Sequence, residues 1–293
     1  MTDQKRAYIY ALITVALWST IASASKISLR YLRPAELLFV ATLVSIFVLL
    51  LILVSQKKIG QLVVLTKKDW VRSFQYGFLN PFLYYLILFK AYDLLPAQQA
   101  QIINYTWAIT LTLLSIPFLG QKVAKMQWLA IVVSYFGVFV IATRGNLLGM
   151  SFDNPRGVVF ALASTVIWAL YWILNTKDGR DPVIGIFLNF ICALPFIILY
   201  MLLTEGLRIL PIQGVAGAAY IGVCEMAVGF VLWLKAMKYT DNTAKIANLI
   251  FIAPFASLVF IYFLVGEKIY PSTYAGLIFV VTGLVIQSFT RKD

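Results

Sequence analysis

Long apolar runs alternate with short polar gaps along this chain. Ten runs have helix length: residues 7–29, 35–55, 73–92, 97–119, 126–143, 157–175, 183–204, 213–237, 243–265 and 272–289. Each is close to the roughly 20 residues that carry a helix across about 30 Å of hydrocarbon. The expected fold class is therefore an all-α polytopic membrane protein with ten transmembrane helices. Residues 144–156 form the most marked interruption. They hold Gly145, Asn146, Gly149, Asp153, Asn154 and Pro155, which favour turns over helix.

The pattern occurs twice. The run 102–122 ends Leu119-Gly120-Gln121-Lys122, and the run 248–268 ends Val265-Gly266-Glu267-Lys268. In the same register Gly137 falls on Gly283. Trp18 in the first helix matches Trp168 in the sixth, and Pro34 matches Pro182. Gly77 and Lys90-Ala91 match Gly222 and Lys235-Ala236. The expected organisation is a first repeat over 1–145, a connection over 146–156 and a second repeat over 157–293. Five helices is an odd number, so the second copy must enter the membrane from the opposite side. Two inverted five-helix repeats are the signature of secondary transporters, whose binding site lies near the midplane between the copies.

Composition narrows the class further. The chain is 61% hydrophobic and 12% charged, whereas a soluble domain is about 25% charged. The net charge of +12 does not mark a nucleic-acid binder, because the basic residues lie in gaps between apolar runs rather than on one face. With the N-terminus inside, 16 of the 24 basic residues fall on the inner side, which predicts both termini in the cytoplasm. Ala22-Ser23-Ala24 has the small-residue pattern of a signal-peptidase site. The apolar stretch is long for a signal, however, and cleavage would remove a helix that has a repeat partner. There is no histidine, and Cys192 and Cys224 both sit in apolar runs. No metal site, disulfide framework or phosphate-cradling loop can be argued, and neither metal nor cofactor is expected.

Two repeats of five helices, each closing its fourth helix with Gly-Gln-Lys or Gly-Glu-Lys, resemble the ten-helix drug/metabolite transporter family of EamA type. Leu17–Thr20 and the Asn104, Tyr105, Trp107 group look like its bacterial aromatic amino acid exporter branch. Ala108 departs from the proline usual there, and Glu225-Met226 is not a feature of that branch. The resemblance implies a basket of helices 1, 3, 4, 6, 8 and 9 around a central cavity, with helices 5 and 10 peripheral. It also implies a bacterial cytoplasmic (inner) membrane location.

Polar residues at helical spacing nominate the cavity walls. Gln101, Asn104, Tyr105, Ala108, Thr112 and Ser115 share one face of the fourth helix, and Lys245, Asn248, Ile252, Phe255 and Ala256 share one of the ninth. Such a face lines either a wet pathway or an interhelical hydrogen-bonded seam. Trp18, Trp107, Trp168 and Trp233, with Tyr84 and Tyr171, are large rings that either pack helices or wall a pocket for flat or cationic substrates. Glu225 alone of the 12 acids falls near the centre of an expected span. An ionisable group there needs water, a partner or a proton. The candidate substrate-binding set is therefore Trp18, Tyr84, Gln101, Asn104, Trp107, Trp168, Tyr171, Glu225, Trp233 and Asn248, with Glu225 also the candidate for proton or cation coupling.

These observations point to a secondary transporter working by alternating access and exporting small metabolites, amino acids (aromatic ones among them) or related amines. A permease for another polar or cationic metabolite, or a flippase for a lipid-linked substrate, stands as the alternative. A lipid-modifying enzyme would need a catalytic constellation that is missing here. The expected partners are a small-molecule substrate and membrane lipid, not nucleic acid. The chain is read as a monomer, with a homodimer as the alternative.

Overall fold

The computed structural model describes residues 2–120, 124–149, 154–175, 178–240, 246 and 249–290. Among these every regular element is a helix, and ten helical rods follow one another: α1 (Asp3–Ser28), α2 (Pro34–Ser55), α3 (67–94), α4 (Ala97–Leu119), α5 (Lys125–Ala142), α6 (Pro155–Asn175), α7 (Pro182–Thr204), α8 (Ile212–Tyr239), α9 (Leu249–Val265) and α10 (Pro271–Thr290). Among the described residues eight of these rods are long and apolar enough to cross a membrane, and α9 is a shorter apolar helix. Lys245, Asn248, Gln121, Lys122 and 150–153, all used above, lie outside the described residues.

Local chemistry sets the helix ends. Pro34 and Pro182 open α2 and α7, where a fixed φ helps and a missing N–H costs nothing. Asp181 caps α7, its carboxylate accepting from the Val183 and Ile184 amides at 3.0 and 3.3 Å. Gly120 and Gly266 close α4 and α9 with φ of +64° and +78°, a conformation that suits glycine. The matched glycines of the sequence repeat are thus matched helix stops. α3 starts six residues before its apolar run because Thr66 and Asp69 form a reciprocal cap on a polar first turn.

Packing obeys the repeat. α1 packs on α8 as α6 packs on α3; α2 meets α8 as α7 meets α3; α1 meets α9 as α6 meets α4. α2 and α7 pair with each other, and so do α5 and α10. The last pair stands to one side, as the resemblance implied. Two inverted five-helix repeats therefore build one bundle. Glycines set the closest approaches. A Cβ on Gly77 would lie 2.3 Å from the Asn189 carbonyl oxygen, and one on Gly222 would lie 2.5 Å from that of Ala41. Asn189 and Ala41 hold equivalent places in α7 and α2.

α3 and α8 are both interrupted at equivalent points. π-helical turns span Phe78–Leu83 and Gly222–Ala227. Within the first, Asn80 is extended, with φ −144° and ψ 120°. Such turns shift helix register by one residue and occur often at functional sites. Outward-facing Phe47, Val132, Leu199, Leu203, Phe263 and Ile278 are exposed apolar groups that suit a lipid surround.

Both ends of the bundle are tied by charge. At the face where α1 ends, Glu267 accepts from the Ala97 amide at 2.8 Å and Glu205 from the Ala35 amide at 3.2 Å, so each carboxylate meets the positive end of a helix from the other repeat. Arg208 there holds Glu36 through two 2.6 Å contacts. At the opposite face Arg180 grips Asp178 and donates to Ser73 Oγ at 2.6 Å, while Lys58 pairs with Asp181 at 2.6 Å.

Candidate functional site

Trp168 of α6 is the hub of the interior. It stacks on Tyr84 of α3 at 4.5 Å between ring centroids and on Tyr171 at 5.6 Å. Trp107 of α4, Trp172 and Phe230 of α8 meet it edge-on at 6.4, 5.9 and 5.7 Å. Trp107 and Trp172 lie nearly parallel to each other, 6.4 Å apart. Phe230 carries the chain of rings on to Trp18 of α1, and Trp18 to Trp233. The spacing on α6 explains the hub: Trp168, Tyr171 and Trp172 are three and four residues apart and share a stripe.

Polar groups are threaded through the rings. The Tyr84 hydroxyl donates to Asn104 Oδ1 at 3.3 Å, and Asn104 Nδ2 donates to Ser164 Oγ at 2.9 Å. Tyr85, which packs on Tyr84 at 4.8 Å, donates its hydroxyl proton to Glu225 Oε1 at 3.1 Å. The other carboxylate oxygen, Oε2, is buried with no hydrogen-bond partner. So are the indole N–H groups of Trp18 and Trp172 and the Gln101 side-chain oxygen. Native interiors rarely leave such groups unpaired, because each orphan forfeits its hydration. Here one carboxyl oxygen and two indole donors are left without partners among the rings.

The structure brings Tyr84, Trp107, Trp168 and Tyr171 into one set of ring contacts, with Asn104 and Glu225 attached through tyrosine hydroxyls. Gln101 lies one turn along α4 from Asn104, beside Tyr105. Trp18 joins through Phe230. Trp233 touches Trp18 but also belongs to a separate apolar cluster with Ala7, Ala11, Ala236 and Ile246. Asn248 lies outside the described residues.

The polar faces of the helices resolve as follows. The polar face of α4 does not stay on one side, because the helix pinches at Thr106, and Gln287 of α10 bonds the Ala108 carbonyl and Thr112 beyond the pinch. That part is a seam between helices. On α9, Ile252 and Phe255 are exposed, in a row with Val259 and Phe263, while Ala253, Pro254, Ser257 and Leu258 turn inward. On α8, Gly222 faces α2 and Gly229 faces Trp18 of α1, so other helices close on both glycines.

Sequence reasoning missed Trp172, Phe230 and Tyr85, whereas Ser164 shares the helical face of Trp168 and Tyr171 that the spacing of α6 predicts. Trp172 was within reach, four residues after Trp168. Tyr85 and Phe230 were not, because the π turns rotate the residues that follow them. Among the described residues no group of His, Cys, Asp and Glu could hold a metal ion. A separate cavity of about 270 Å³ opens where α1 ends, lined by Lys26, Arg30, Asp93 and Glu267. Lys26 is already bound to the Tyr92 and Leu95 carbonyls at 2.7 and 2.8 Å, and Arg30 to that of Val265 at 2.8 Å.

Comparison with known proteins agrees with this architecture. The sequence profile of the EamA-like transporter family matches residues 5–143 and 155–289. An uncharacterized transporter of Clostridium kluyveri is 26% identical over 98% of this chain and 94% of its own. A probable amino-acid metabolite efflux pump of Salmonella typhimurium is 23% identical over 95% and 93%. The aromatic amino acid exporter YddG of Ancylobacter novellus is 24% identical over 100 residues, 34% of this chain and 35% of that protein. A solved crystal structure with 18% identity superimposes with a TM-score of 0.67, covering 98% of this chain and 99% of the other, and shows the same fold. Two matched repeats, ten helices paired across a pseudo-twofold and a polar aromatic interior lead to one assignment: the chain belongs to the EamA-like transporter family and is a multi-pass membrane transporter.

Proposed function

We propose that this transporter exports amino acids or related amines from the cytoplasm, aromatic ones among them, and that Glu225 with the rings around Trp168 forms the substrate site. The observation that carries the reading is the unpaired Oε2 of Glu225 beside that aromatic wall. A buried carboxylate without a cationic partner recruits an ammonium group or a proton. Flat rings offer stacking and cation–π contact to the rest of such a substrate, worth about 1 kcal/mol per good contact. The unpaired indole N–H of Trp172 suits an acceptor such as a substrate carboxylate.

In this reading Tyr84, Gln101, Asn104, Trp107, Trp168 and Tyr171 line or support the site, and Trp18 and Trp233 border it. Glu225 exchanges a proton for the substrate ammonium, which couples export to proton entry. The protein sits in a bacterial cytoplasmic membrane with both termini inside, as the bias of basic residues supports. The face where α1 ends is then the outer one, and one chain is the transport unit. Alternating access follows if the tied clusters at the two faces open in turn.

The test is counterflow in liposomes against a panel of amino acids and amines. Glu225→Gln keeps size and hydrogen bonding and removes charge and titration. The expected result is a folded protein with little coupled transport and no pH dependence in residual exchange. Wild-type rates with an unchanged pH profile would reduce Glu225 to a structural contact.

A further inference from the structure

We propose that the break in α3 binds a small monovalent metal cation of about sodium's size through the side-chain oxygens of Asn80, Asn189 and Tyr171. The three residues come from α3, α7 and α6, so both repeats contribute. Asn80 and Asn189 are each 1% exposed and Tyr171 is 2% exposed. The Tyr171 hydroxyl lies beside both side-chain amides, whose N–H groups are turned to it; rotation of either amide brings its oxygen there instead. Yet Oδ1 of Asn80 and Oδ1 of Asn189 are both buried with no hydrogen-bond partner. One phenol carries one proton, so it can satisfy at most one of the two amide oxygens, however the amides are turned. A polar atom left open at this depth calls for a donor or a positive charge.

The chemistry of the oxygens selects the ligand. All three are neutral, and no carboxylate joins them. Divalent cations in proteins draw on carboxylates, whereas neutral oxygens suffice for a singly charged ion. Non-helical backbone inside a membrane bundle is tolerated where it serves a ligand, and unwound helices of transporters supply cation sites. Here the unwound point is Asn80 itself. Gly77 holds the arrangement together, because its missing Cβ lets the Asn189 backbone close on α3 just before the break. The nearest ionic groups cancel: Arg180 is committed to Asp178 through both guanidinium and carboxylate edges, so neither offers the site a free charge.

The repeat sharpens the point. Asn80 occupies in α3 the place Glu225 occupies in α8, and both π turns leave one side-chain oxygen unpaired. One break carries a group that titrates, and the other a group that cannot. The first suits a proton or substrate ammonium, and the second a permanent cation. This gives the transporter a second coupling ion. It rests on the transporter reading for its consequence but not for its measurement, since cation binding is read without any substrate.

The experiment is thermal unfolding of the purified full-length protein in detergent. Sodium, lithium, potassium, choline and methylammonium chlorides are compared at fixed ionic strength. A bound ion stabilises the folded state in a saturable way. The expected result is a saturating rise of the unfolding midpoint with sodium and none with choline. Asn80→Ala and Asn189→Ala should each raise the half-saturating sodium concentration roughly tenfold or more while still unfolding cooperatively in choline. Asn189→Asp, which keeps an oxygen, should retain the response, and serves with Tyr171→Phe if an alanine variant fails to fold. No sodium-specific rise, or the same rise in every variant, would overturn the proposal. A response to methylammonium but not sodium would also overturn it, since the oxygens would then receive the substrate's ammonium.

Discussion

Trp168 and Trp172 are four residues apart and carry different burdens. Trp168 is 7% exposed and meets rings from α3, α4 and α8, so it packs the interior as well as facing it. Trp168→Ala should cost about 3–5 kcal/mol of stability, the range for losing a buried large aromatic. A binding loss in that variant would be hard to separate from unfolding. Trp172→Phe asks a cleaner question. It keeps a ring against Trp107 and removes only the unpaired indole N–H. Its unfolding temperature should stay near wild type, while substrate affinity falls by about 1 kcal/mol, or roughly fivefold, if that N–H meets a substrate acceptor. Competition binding in detergent, read beside thermal unfolding, measures both. A drop in stability without loss of affinity would place Trp172 among the packing residues.

At the scale of helices, the repeat is expressed as two equivalent crossings, each made possible by one glycine. The contacts a new methyl would make at Gly77 and Gly222 are with backbone oxygens, which cannot rotate away. Gly77→Ala and Gly222→Ala should each destabilise by about 1–3 kcal/mol, as overpacked sites do. Gly60→Ala is the control, since nothing lies within 4 Å of a Cβ there. Unfolding midpoints of the three variants decide this, and equal effects at all three positions would show that the crossings can relax. The same crossings position the two π turns, so these glycines also set where Asn80 and Glu225 point.

Over the whole molecule, inversion of the repeat has a direct test. The α2–α3 and α7–α8 loops are equivalent, and Val63 and Ile209 in them are 85% and 97% exposed. Single cysteines at these positions, in a background lacking Cys192 and Cys224, should label with an impermeant reagent from opposite sides of the membrane. Labelling from the same side would contradict two inverted copies. The ionic cluster opposite the end of α1 makes a further prediction. Burial alone would raise the Asp178 carboxyl, but hydrogen bonds and charge from Arg180, with Arg72 behind them, hold it below its ordinary value. Asp181 behaves alike, with Lys58 and the α7 amides outweighing burial. A carboxyl depressed on folding contributes stability that is complete above its ordinary value, near about 4, and is lost as pH falls through the depressed one. Unfolding temperature should therefore drop on acidification below about pH 4. Asp178→Asn should start less stable at neutral pH and lose less in acid. A wild-type acid profile in Asp178→Asn would remove this cluster from the account.

Much of this protein was fixed by composition and periodicity alone. Runs of helix length in a sparsely charged chain leave a bilayer as the one solvent that suits them, and an odd number of helices per repeat imposes inversion. Glu225 stood out because a lone acid at mid-span has few uses, and Trp168 because its partner Trp18 marked it as part of both copies. These are properties of spacing, which a linear sequence records. Only the tertiary structure decided which faces meet. The pinch at Thr106 turned half of a polar stripe on α4 into a seam with Gln287, and the π turn in α8 sent Gly222 and Gly229 to different neighbours. Asn80, Asn189 and Tyr171 lie far apart in the chain and became a cluster only when α3, α6 and α7 crossed. The physical reason is the same in each case: a helix interruption rotates every residue after it, and its effect on contact is set by the helix it packs against.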